Sequence, residues 1–120
     1  MITREQIQGL FDHTQQRKAE GKLEWDIDGS CRWSYFFFDA SRERLTAAAQ
    51  FLANMGYQSR GLLAPGPDDD GQGPLYLRVD RIEQHSVDSL ATRCRELSDV
   101  ADAMGLMGFD GMDVGAVDGP

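Results

Sequence analysis

Eight consecutive residues, Arg32-Trp33-Ser34-Tyr35-Phe36-Phe37-Phe38-Asp39, carry five aromatic rings. Such side chains favour a pleated, half-buried surface, so the stretch reads as a strand. Successive side chains on a strand point to opposite faces. Trp33, Tyr35 and Phe37 therefore line one face, and Phe36 and Phe38 the other. A strand that is aromatic on both faces belongs in the middle of a sheet, with cover on both sides. Asp39 or Ser41 can cap the helix that follows. That helix runs from Arg42 to Met55, with Leu45, Ala48, Ala49, Leu52 and Met55 on one side and Gly56 as its left-handed stop. The rest of the chain has to be arranged around this strand and helix.

Upstream, Thr3-Arg4-Glu5-Gln6 has the form of a capping box. Ile7, Leu10, Phe11 and Thr14 then share one helical face, Arg17 and Lys18 suit the C-terminal dipole, and Gly21 ends the helix. The narrow apolar stripe predicts a helix over 4–20 that docks on the domain without forming its core. Leu23, Trp25 and Ile27 alternate with acids before the Asp28-Gly29 turn signal, the pattern of a short edge strand or of a lead into the central strand. Downstream, Tyr57 to Leu63 reads as a second strand, 64–74 as a loop rich in Pro, Gly and Asp, and Leu75 to Ile82 as a third strand. Leu75, Leu77 and Val79 face the core there, while Tyr76, Arg78 and Asp80 face outward. Ser86 caps a last long helix whose stripe is Val87, Leu90, Cys94, Leu97, Ala101 and Met104. Gly105 stops it, and Met112 to Val117 forms a final short strand.

With the first helix set aside, the order is strand, helix, strand, strand, helix, strand. That is the ferredoxin-like βαββαβ sandwich, an α+β fold, with an additional N-terminal helix. The division is a helix over 1–22, a ferredoxin-like regulatory domain over 23–117 and a loose tail over 118–120. Right-handed crossovers put both later helices on one sheet face. The expectation is that the first helix covers the Trp33, Tyr35 and Phe37 row on the other face, since Ile7, Leu10 and Phe11 otherwise have nothing to cover.

At 120 residues the chain makes one domain with a single core. It holds no apolar run near the roughly 20 residues needed to span a bilayer, and its first ten residues lack the apolar segment of a signal peptide. Cys31 and Cys94 make no disulfide framework. These features predict a cytoplasmic protein with no membrane association, a monomer or weak oligomer. The net charge of −8 is uneven, with seven basic and eight acidic residues up to Gly56 but five basic and twelve acidic from Tyr57 onward. An acidic surface repels phosphate backbones, which argues against direct nucleic-acid binding and for a basic protein partner.

Several groupings suggest chemistry. Tyr76 with Trp33, Tyr35 and Phe37 would resemble the stacking platform of RNA-recognition motifs, but the glycine-aromatic signature with its leading cation is missing around Gly73-Pro74-Leu75-Tyr76. Asp68-Asp69-Asp70-Gly71 and Asp26-Ile27-Asp28-Gly29 fall short of a calcium loop, which needs further ligands at fixed positions. His85, Asp88 and Cys94 invite a thiol triad, yet Cys94 lies on the apolar stripe of its helix, where a cysteine acts as a small buried hydrophobe. No catalytic residue, metal ligand or cofactor site is expected.

Tyr35-Phe36-Phe37-Phe38-Asp39 before an alanine- and leucine-bearing helix, Asn54-Met55-Gly56-Tyr57 opening a strand, the acidic hairpin loop Asp68-Asp69-Asp70-Gly71, and Phe109-Asp110-Gly111-Met112 after the last helix together resemble the ribonuclease E inhibitor family, regulator of ribonuclease activity B. The likeness runs from about Trp25 to Val117. The departures are Phe109 and Met112, where the family typically carries tyrosine and tryptophan around Asp-Gly. The resemblance implies a ferredoxin-like sandwich and a non-catalytic protein that binds the ribonuclease away from its catalytic half and reduces RNA cleavage. Complementary charge then makes Asp68, Asp69, Asp70, Asp110 and Asp113 the candidate partner-binding residues. Two other readings suit the residues: an immunity-type inhibitor that blocks a toxin's basic active site, and a small thiol hydrolase using Cys94 and His85.

Overall fold

A computed structural model describes residues 2–63 and 73–118. Seven elements follow in order: α1 (Arg4–Ala19), β1 (Ser30–Asp39), α2 (Arg42–Asn54), β2 (Gln58–Leu63), β3 (Leu75–Gln84), α3 (Val87–Ala103) and β4 (Gly108–Gly115). The four strands form one sheet in the order β2-β3-β1-β4, and every neighbouring pair is antiparallel. This is the strand order of the split βαβ plan, with β1 and β3 in the centre; α1 is the addition.

Local chemistry starts each helix where the sequence predicts. The Thr3 hydroxyl accepts the Gln6 N–H at 3.1 Å and the Gln6 side chain accepts the Thr3 N–H at 2.8 Å, a complete capping box that satisfies two first-turn donors. Ser41 caps α2 by accepting the Arg44 N–H at 3.2 Å. Ser86 and Ser89 cap α3 reciprocally, at 3.1 and 2.8 Å. Asp39 does a different job from capping. It is fully buried at the end of β1, where one oxygen accepts the Ser41 N–H at 2.8 Å and Arg44 Nε at 3.2 Å while the other accepts the Met107 N–H at 2.9 Å. One carboxylate thus ties the end of β1 to the start of α2 and to the turn entering β4.

All three helices lie on one face of the sheet. Trp33, Tyr35 and Phe37 point into that helical layer and join Leu45, Ala48 and Leu52 of α2 and Leu90, Cys94, Leu97 and Ala101 of α3 in one buried core. α1 packs beside α3, and its Phe11 ring stacks on Trp33 at 6.3 Å between centroids. α1 does meet Trp33, but the expectation that the Trp33 row lies on the face opposite α2 and α3, with α1 as its cover, is corrected: the row points into the helical layer and α1 joins the other helices there. Burying Ile7 and Phe11 inside an existing core removes more apolar area from water than a lone helix on the opposite face would.

The other sheet face carries the alternate residues. The register places Arg32 opposite Ile82, Ser34 opposite Asp80, Phe36 opposite Arg78 and Phe38 opposite Tyr76. Tyr76 and the Trp33 row consequently lie on opposite faces, and the four rings suggested as one stacking platform do not meet. Leu23 to Gly29 is not a strand. Asp28 N–H bonds to the Asp26 carboxylate at 3.0 Å and Gly29 N–H to the Asp26 carbonyl at 3.0 Å, and these local bonds close turns that tuck Ile27 into the core. β3 runs two residues past its expected end, which brings Glu83 into the sheet.

Candidate functional site

Two polar clusters flank β3, one on each face of the sheet. The first lies on the helical side, at the end of β3. The Glu83 carboxylate accepts the Tyr35 hydroxyl at 2.5 Å, His85 Nε2 at 2.8 Å, and Arg93 of α3 through Nη2 at 2.6 Å and Nε at 3.2 Å, with Arg81 Nε at 3.3 Å. His85 Nδ1 meets the Ser89 hydroxyl at 2.9 Å, and its ring stands edge-on to Trp33 at 5.2 Å. Burial alone would raise the Glu83 carboxyl, but hydrogen bonds from His85, Arg93 and Tyr35 outweigh it and hold the group at about 2. Burial, reinforced by the hydrogen bond to Glu83, drives the Tyr35 hydroxyl strongly upward, so it stays a proton donor. Glu83, His85, Ser89 and Arg93 also line an open hollow of about 360 Å³ together with Gln84, Thr92 and Glu96. With every oxygen of Glu83 already accepting from the chain's own donors, the cluster acts as a lock joining β1, β3 and α3.

The second cluster lies on the open face. Asp80 is almost completely buried although no helix covers it. Its carboxylate takes Arg60 Nε at 2.8 Å and Arg78 Nε at 3.0 Å, with Arg32 Nε at 3.8 Å, and the Ser34 side chain hydrogen-bonds it from the neighbouring strand. Burial opposes ionisation of Asp80, but the bonds from Arg78, Ser34 and Arg60 prevail and lower its pKa. Beside the cluster lie Phe36, Phe38 and Tyr76, all half-buried. The Phe38 and Tyr76 centroids are 6.1 Å apart. Phe38 lies over Gly108 of β4, so close that a Cβ there would come within 2.9 Å of the ring; the glycine is what lets this ring lie flat on the sheet.

These two carboxylates make stability sensitive to acid. Both are depressed below their ordinary values, so the stability they contribute is complete above the unfolded carboxylate range and is lost as pH falls through the folded value. Denaturant unfolding followed at pH 7, 4 and 2.5 is expected to show most of the loss between about pH 4.5 and 2. Glu83 alone should contribute roughly 3 kcal/mol of it, and that share should be absent in Glu83→Gln.

The candidate partner-binding acids fall as follows. Asp68, Asp69 and Asp70 lie outside the described residues. Asp110 and Asp113 are exposed on the edge strand β4. Asp113 is opposite Ser34 on the open face, and Asp110 sits where a bulge shifts the β1–β4 register between Phe36 and Phe37. The thiol triad does not assemble. His85 belongs to the Glu83 lock, Asp88 pairs with Arg4, and the nearest partner of Cys94 is the Met112 sulfur at 4.0 Å. Desolvation raises the Cys94 thiol to about 11, away from a reactive thiolate. Asp26 and Asp28 serve the turn before β1, and among the described residues no group of three or more His, Cys, Asp or Glu is placed to hold a metal. No described helix is long and apolar enough to cross a membrane.

Sequence reasoning missed both clusters. The outward alternation of Tyr76, Arg78 and Asp80 is legible, but the strands that supply Arg32, Ser34 and Arg60 to them are known only once the register is. The signal for the Glu83 lock is weaker still: an acid placed past the apparent end of a strand.

The architecture defines a single α+β domain of the split βαβ kind, with an extra helix in its helical layer and one sheet face left open. The chain belongs to the family described as Regulator of ribonuclease activity B, which its sequence matches over residues 13–114. No curated protein matches the chain.

Proposed function

We propose that the chain is a non-catalytic cytoplasmic regulator that binds a ribonuclease of the ribonuclease E type by protein–protein contact and lowers its cleavage of RNA. The observation that carries this reading is the family match over residues 13–114, which spans β1, β2, β3, both crossover helices and all of β4 but its last residue. The surplus of acids after Gly56 supports a partner with a basic segment. Complementary charge of this kind speeds encounter and selects partners more than it sets final affinity. Asp110 and Asp113 supply part of that charge at the β4 edge, and Asp68, Asp69 and Asp70 add to it in the sequence between β2 and β3.

Calorimetric titration of the chain into a purified full-length ribonuclease E-type enzyme is expected to show saturable binding that weakens as salt rises. Changing Asp68, Asp69 and Asp70 together to Asn should slow association several-fold and flatten the salt dependence. Absence of binding at low salt would sink the proposal, and binding indifferent to salt would remove the acidic contact from it.

A further inference from the structure

The open sheet face combines an aromatic strip with arginine side chains. Its aromatic strip is Phe36 and Phe38 of β1 and Tyr76 of β3, extended at one edge by Leu63 of β2, which pairs with Tyr76 and is 47% exposed. Ile82, 56% exposed, continues the apolar surface at the far end of β3. Phe36, Phe38 and Tyr76 are half-buried. The charged part is Arg32, Arg60 and Arg78 gathered on Asp80. Asp113 of β4 stands on the same face, in a chain of net charge −8. Asp80 holds Arg60 and Arg78 in fixed positions, with 38% and 27% of those side chains still exposed. Their remaining N–H donors are therefore preorganised for another acceptor.

We infer that this face is where the partner anchors: it takes one protein segment that lays aliphatic or aromatic side chains on Phe36, Phe38, Tyr76 and Leu63 and brings a carboxylate to Arg78 and Arg60. The inference rests on the ribonuclease-binding reading and adds to it the surface and the chemistry of the bound segment. Tyrosine, other aromatics and arginine around an apolar centre are the composition of the energetic core of protein interfaces. Four strands about 4.8 Å apart and about eight residues long give a face of roughly 500 Å², which suits one docked segment and is small for an obligate whole-domain interface. The acids at the β4 edge then serve as part of a steering rim, and the partner's anchoring segment is apolar and acid-bearing with basic residues on either side. A polynucleotide fits less well, because every phosphate added would face the chain's overall negative charge.

The test compares wild type with Leu63→Asp, Tyr76→Ala and Arg78→Gln in binding to the same full-length ribonuclease, with Phe51→Asp on the outer side of α2 as a control. Leu63 and Phe51 are both about half exposed, so neither aspartate should disturb the fold, and thermal melts check this. The expected result is a Kd raised at least tenfold by each open-face change and by less than twofold by the control. Wild type that binds while Leu63→Asp and Tyr76→Ala bind equally well would overturn the docking face and leave the ribonuclease reading standing. No binding by wild type would overturn both. A fluorescent single-stranded RNA oligonucleotide titrated in parallel should show no binding; RNA bound by wild type and lost in the Tyr76→Ala and Arg78→Gln variants would overturn the protein segment as occupant.

Discussion

Glu83→Ala is expected to destabilise the chain by about 3–5 kcal/mol, the range for breaking a buried, hydrogen-bonded charge pair from one side. The substitution deletes the acceptor for four different side chains and leaves their donors behind. Tyr35 is fully buried and His85 nearly so, hence neither can turn to water. Arg93 and Arg81 would also keep their charges next to the Tyr57 ring, over which their guanidinium carbons now sit at 5.8 and 5.1 Å. For a domain of this size such a loss corresponds to a Tm lower by roughly 12–20 °C in a thermal melt. Tyr35→Phe in the Glu83→Ala background should cost far less than Tyr35→Phe in wild type, because the hydroxyl has then already lost its carboxylate partner. Equal costs in the two backgrounds would show that the two groups do not act as a unit.

Trp33→Ala is the second large effect, expected at about 3–5 kcal/mol by the usual cost of truncating a buried aromatic residue to alanine. The side chain is completely buried at the point where the additional helix meets the rest of the domain. It lies against Phe11 of α1 on one side and His85 on another. Its loss should therefore do more than lower the Tm. Amide hydrogen exchange is expected to show faster exchange throughout α1 while the β1–β3 pairing stays protected, because α1 loses its main ring contact and the ladder keeps its backbone bonds. Uniform acceleration across all elements would mean that α1 and the sheet open as one unit.

How far the fold could be read in advance depended on whether the deciding interactions were local. The helix starts were legible because Thr3, Ser41 and Ser86 act on N–H groups three residues away. The strand order was legible because the split βαβ plan follows from element order and crossover handedness. Which face α1 covers was not, since the stripe of Ile7, Leu10 and Phe11 says that the helix docks but not on what. The alternation of Leu23, Trp25 and Ile27 left an edge strand or a lead into β1 open for a related reason: it requires only that Ile27 be buried, and the turns centred on Asp26 achieve that without a strand, as the lead into β1.

The candidate site was legible in parts. Tyr76, Arg78 and Asp80 face outward as their alternation predicts, and Phe36 and Phe38 lie on the face opposite Trp33 as they should. The charge of that face could not be read, because it arises from arginines on three strands brought to one carboxylate. Acidity averaged over the chain concealed the three arginines gathered there. On the proposed reading the acids and the open face act separately, and variants of each should affect association and dissociation differently.

The most direct measurement of the central proposal is the cleavage of a labelled RNA by the full-length ribonuclease E-type enzyme with increasing amounts of the chain. The predicted result is a rate that falls and levels off as the chain saturates the enzyme, with no cleavage by the chain alone. An unchanged cleavage rate at saturating chain concentrations would contradict the regulatory role.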